Sequence, residues 1–179
     1  MDERLPLDRL AVHAELERVR DDFRRLLATA TTTDLPARTA GTRWTNEQLL
    51  FHMLFGYMLI RVLLPLLSVF ARLPRLVGRA FAAVLNAAAT PFHVINYASA
   101  VAGARYYNHR RMAAKMDRTL AALHRRLDRE SATSLLRAMP YPPRWDPFFH
   151  AWMTGADLYR YPTRHYDFHR AQLTLGRQD

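Results

Sequence analysis

The chain has 179 residues, a formal charge of +10, a pI near 10.8 and no cysteine. That length suits one domain with a real apolar core. The missing thiol excludes disulfides, cysteine nucleophiles, Cys-ligated zinc and iron–sulfur clusters, so any metal must sit on nitrogen and oxygen. All strong bases except Lys115 are arginines, set singly or in pairs with acids between them. This pattern reads as dispersed surface charge rather than a nucleic-acid stripe. The start, MDERLPLDRL, lacks the basic, apolar, small-residue order of a secretory signal, so the expected address is the cytoplasm.

From Leu7 to about Ala28, Leu10, Ala14, Val19, Phe23, Leu26 and Leu27 recur at helical spacing opposite a charged face, which predicts helix one. TATTTDLPARTAGTR follows as a loop. Thr45 and Gln48 have capping-box spacing before an apolar run, so helix two starts at Thr45. It is expected to stop near Leu64, because Pro65 removes a donor.

Residues 66–104 are mostly apolar and are broken by Pro74, Gly78, Pro91 and Gly103. The stretch AFAAVLNAAATPFHVINYASAVAGA within them carries no formal charge. Asn86, Thr90, His93 and Asn96 interrupt it, which favours short buried or interfacial helices over a membrane span. Arg61, Arg72, Arg75 and Arg79 alternate with apolar residues as in a helix lying on a membrane surface, so peripheral membrane contact is a second expectation.

Helix three is predicted from Arg105 to about Arg129, on the stripe Tyr106, Met112, Met116, Leu120, Leu123 and Leu127. A proline-punctuated connection holding Trp145 leads to a second cap pair, Thr154 and Asp157. Helix four is then predicted from about Gly155 to Leu175, with a kink at Pro162. The expectation is an all-α, four-helix bundle with a long, largely helical apolar crossover between helices two and three, forming a single domain over 1–179.

Sites in such bundles are built from side chains that project inward from facing helices. His165 and His169 stand one turn apart on helix four, and His52 sits in an apolar turn of helix two, between Phe51 and Met53. Three inward imidazoles would form a three-nitrogen set with room for water or substrate, which is catalytic rather than structural coordination. His13 and His124 are expected on solvated surfaces. His93, His109 and His150 are assigned structural roles ahead of pocket lining or outer-shell contacts. Asp167 should face away from its histidine neighbours and Tyr161 should edge the cavity. Arg164 and Arg110 are candidates to steer a carboxylate.

WTNEQLLFH (Trp44 to His52) and HYDFHRAQL (His165 to Leu173), with the lead-in MTGADLYRYPTRH, resemble the second-helix and final-helix signatures of the DinB-like superfamily. The resemblance implies an up-down-down-up bundle and a divalent ion (zinc, nickel or iron) on His52, His165 and His169. It also implies transferase or isomerase chemistry with a low-molecular-weight thiol cosubstrate such as mycothiol, bacillithiol or glutathione. Phe168 stands where many members have a further histidine, and the crossover is longer than usual. The expected activity is thus attack by an activated thiol or water on a small anionic or apolar substrate. The alternative is a non-catalytic metal-containing protein whose apolar segment holds a ligand or docks on a membrane or partner. A homodimer through a helical face is a further expectation, and DNA binding is the least favoured.

Overall fold

A computed structural model describes residues 7–176. The order is α1 (Arg9–Thr29), α2 (Asn46–Phe70), α3 (Arg75–Ala87), α4 (Ala89–Arg129), α5 (Ala132–Leu136), β1 (Ala138–Pro140), β2 (Trp152–Thr154) and α6 (Gly155–Arg170). The two strands pair antiparallel, with Met139 opposite Met153. The six helices pack together, and α1, α2, the C-terminal half of α4 and α6 make the bundle.

Side-chain pairs fix the helix directions. Along α1, Arg9 reaches the Glu130 carbonyl, His13 meets His124 and Arg24 meets Asp117, so α1 and α4 run antiparallel. Arg18 pairs with Asp167 and Asp22 with Arg170, so α1 and α6 run parallel. His52 faces His165, and Asn46 faces Thr174 just beyond α6, so α2 opposes α6. The resulting order is up-down-down-up. Its core includes Leu16, Phe23, Leu50, Leu54, Met116 and Leu120, all nearly inaccessible to solvent.

Both expected caps form. Thr45 Oγ1 accepts from the Gln48 amide while Gln48 Oε1 accepts from the Thr45 amide, and Thr154 and Asp157 repeat the reciprocal pair.

Three boundaries differ from expectation. α2 runs through Pro65 to Phe70, because the Arg61 carbonyl that proline leaves unpaired lies on an exposed turn where water can satisfy it. Helix three does not begin at Arg105. α4 starts at Ala89 and is interrupted once, at Asn108, which has a left-handed φ of 38°. With ψ at 171° the backbone leaves the helical regions altogether, so the break divides α4 into two helical halves. Glu47, at the start of α2, re-caps the second half of α4: its Oε1 accepts from the His109 amide at 2.9 Å and lies 3.1 Å from His109 Nδ1. Finally, α6 ends at Arg170 and not Leu175. The chain turns there so that the Gln172 carbonyl accepts from Ala40 and Thr174 pairs with Asn46.

The crossover is helical, as expected, but residues 66–70 belong to α2 and the uncharged stretch is divided at Ala88 between α3 and α4. Among the described residues the helix long and apolar enough to cross a membrane is α2 itself. It packs between α4 and α6 with His52 and Tyr57 inward, as a core helix does.

At Gly103 the Phe51 ring lies where a side chain would stand, 2.1 Å from an ideal Cβ, and Phe51 is itself stacked between Phe55 and Tyr107. Gly103→Ala sets a helix-propensity gain of about 1 kcal/mol against overpacking of roughly 1–3 kcal/mol. The clash should win: urea unfolding is expected to show net destabilisation, relieved when Phe51→Leu is added.

Candidate metal centre

Two helices bring the histidines together. The Thr45 cap starts α2 so that His52, two turns on, points into the seam with α6, and the Thr154 cap does the same for His165 and His169. His52 and His165 are buried, and His169 is partly exposed at the edge. The His52 and His165 Nε2 atoms are 3.1 Å apart, and one ring nitrogen from each of the three histidines lies within 4.8 Å of the others. Tetrahedral bonds of about 2.1 Å to one ion put ligand nitrogens roughly 3.4 Å apart. The three side chains could therefore hold a single metal ion on nitrogen ligands.

Surrounding groups orient the rings. His169 Nδ1 stands 2.7 Å from Gln172 Oε1, so Nδ1–H donates outward and Nε2 presents its lone pair to the cluster. Trp44 stacks on His52 with ring centroids 4.4 Å apart. Gly56, on α2, gives the His165 ring its space: a Cβ there would come within 2.9 Å of His165 Nδ1. Nδ1 of His52 and Nδ1 of His165 have no hydrogen-bond partner in the protein.

Electrostatics keep the imidazoles neutral. Desolvation, helped by His169, pushes the His52 pKa down to about 3. Desolvation, with His52 and His169 adding to it, holds His165 well below its ordinary value. Desolvation also lowers His169, against the opposing pull of Gln172 and Asp146. Neutral imidazole is the ligating form.

A fourth group was not foreseen. Asp146 Oδ2 lies 3.6 Å from His165 Nε2 and accepts from the Tyr161 hydroxyl at 2.9 Å, while Oδ1 accepts from the Phe148 amide. Burial raises its carboxyl pKa, and those two hydrogen bonds and His169 only partly offset the shift. Asp146 is the single acid between Glu130 and Asp157, set among Trp145, Pro147 and Phe148. An acid isolated in an apolar run needs a partner, and that was the available signal. His52, His165, Asp146 and Tyr161 line a cavity of about 30 Å³, together with Phe92 and Asn96 of α4 and Trp145. Phe92 stacks on Trp145 at 3.8 Å, and Trp145 Nε1 donates to the Leu85 carbonyl of α3.

Other expectations divide. Tyr161 lines the cavity, and Asp167 turns away to Arg18. His93 and His150 are exposed and His109 serves Glu47, so none of the three joins the cluster. Arg110 and Arg164 are exposed. Phe168 packs against Phe148 and the His169 ring. His13 and His124 are not simply solvated: their rings stack in parallel at 4.8 Å, with His13 Nε2 on Asp128 and His124 Nε2 on Glu17. At His124 desolvation outweighs the pull of Glu17 and lowers the pKa.

Comparison with protein-family models, curated proteins and solved structures gives no match. Fold and site together define an all-helical protein with a three-histidine cluster able to hold a metal ion. The DinB-like resemblance rests on the two motifs and the helix order.

In the metal-free chain the unfolded state takes up protons on these histidines below about pH 6.5 while the folded state resists, so stability falls as pH drops. For His52 the loss continues toward pH 3. Asp146, with its raised pKa, works in the opposite sense. Urea midpoints between pH 7 and 5 should therefore decline more steeply in the native chain than in His52→Leu. The difference should reach up to about 1.4 kcal/mol per pH unit.

Proposed function

We propose that His52, His165 and His169 hold one divalent cation, and that the site activates a water or a low-molecular-weight thiol for attack on a small electrophile. The observation that carries this reading is the convergence of three neutral ring nitrogens in an apolar seam. The His52 and His165 Nε2 atoms stand 3.1 Å apart, near the separation of two ligands on one ion, and neither Nδ1 has a partner in the protein.

A divalent ion on three neutral ligands keeps its full charge and, when bound, lowers the pKa of a coordinated water or thiol toward neutrality. Because the protein has no cysteine, a thiol must arrive as a cosubstrate. Asp146 is the acceptor nearest the cluster for the proton given up by the nucleophile, and the Tyr161 hydroxyl holds the carboxyl in place. Gln172 keeps His169 in the tautomer that ligates. Phe92 and Trp145 exclude water.

One observation favours a second reading, a non-catalytic metal-containing protein. The cavity beside the histidines is only about 30 Å³, enough for a water and far below the size of a substrate pocket. The catalytic reading therefore requires the Phe92–Trp145 stack to part. Cobalt(II)-loaded protein separates the two: a thiolate-to-metal charge-transfer band on adding a small thiol supports catalysis, and an unchanged spectrum supports a closed site.

Untagged protein with zinc, nickel or iron at a hundredfold excess over Kd should gain about 2.7 kcal/mol. For a chain of this size that raises Tm by roughly 5–10 °C. The gain should vanish in His165→Ala and in the less buried His169→Ala. An equal metal-induced shift in both variants would rule the site out.

A further inference from the structure

We propose that the outer, apolar face of α3 and the arginines on its flank dock the protein on an anionic membrane surface. α3 turns Gly78 and Ala82 inward, where Gly78 packs so closely on Pro140 that a Cβ would lie 3.0 Å from its ring. The opposite face is apolar and open to solvent: Leu76 is 76% and Val84 66% exposed, with Val77 beside them. A soluble helix ordinarily points such residues at the core. Arg75 and Arg79 follow on one flank and Arg72 lies in the turn before the helix, giving the apolar face and basic edge of a helix lying in an interface.

Charge selects the occupant. No acidic residue occurs between Glu47 and Asp117. Several bundle arginines have carboxylate partners, among them Arg18 with Asp167, Arg24 with Asp117, Arg126 with Glu130 and Arg170 with Asp22. Among the described residues no carboxylate pairs with Arg72, Arg75 or Arg79. A second copy of the chain would bring this unpaired flank against itself, whereas anionic headgroups neutralise it.

The test is sedimentation of the full-length chain with phosphatidylcholine vesicles and with vesicles of equal parts phosphatidylcholine and phosphatidylglycerol. Binding is expected to the anionic vesicles only, and to weaken with salt. Each arginine near an anionic leaflet strengthens binding about fivefold, so Arg75→Glu/Arg79→Glu should weaken it at least tenfold. Leu76→Glu/Val84→Glu should abolish it, and all four substitutions lie on exposed positions, so circular dichroism should not change. Undiminished binding of either double variant overturns the proposal, as does equal binding to neutral vesicles. It is also overturned if the native chain forms a dimer, Leu76→Glu/Val84→Glu makes it monomeric, and neither binds vesicles.

Discussion

Three imidazoles meeting in an apolar seam are the constraint around which this bundle is arranged. A buried polar nitrogen without a partner costs roughly 1–3 kcal/mol, and here two Nδ1 atoms lack one while two Nε2 atoms face each other at 3.1 Å. A neutral Nε2–H on one ring can donate to the other, but a second proton would bury a charge, and the depressed basicity of all three rings shows how strongly the seam resists that. In the proposed reading a cation takes the Nε2 lone pairs, and each Nδ1 carries its ring's proton.

Features far apart in the chain serve this seam. Gly56 leaves room for the His165 ring, and Trp44 covers His52 from the loop before α2. Ending α6 at Arg170 lets Gln172 fold back onto His169 while the tail pairs with Asn46. Asp22 ties α1 to α6 next to the site. Burial works against its charge, but hydrogen bonds from Arg170, Arg25 and Tyr166 prevail and keep it ionised. The crossover supplies the roof through Phe92, which couples the wall of the metal site to the same segment whose α3 face looks outward.

Much of this was legible in local sequence, because caps and helical stripes act within a few residues. Thr45 with Gln48, Thr154 with Asp157, and the one-turn spacing of His165 and His169 carry their own geometry. What escaped depends on contacts between distant segments. Pro65 reads as a stop unless the exposure of Arg61 is known, and Asn108 reads as helical unless Glu47 is seen to re-cap the turn after it. Gly56 is an unremarkable helix residue until His165 lies against it, and Asp146 belongs to a loop whose position only the crossover decides. His13 and His124 looked solvated for the same reason: each meets its partner across two helices.

The central claim is that one ion is shared by His52, His165 and His169. It is tested most directly by anomalous diffraction from crystals of the metal-loaded protein at the absorption edge of the bound metal. The account predicts a single strong peak within about 2.3 Å of a ring nitrogen from each of the three histidines. A peak elsewhere, or no peak in crystals grown with excess metal, would contradict it.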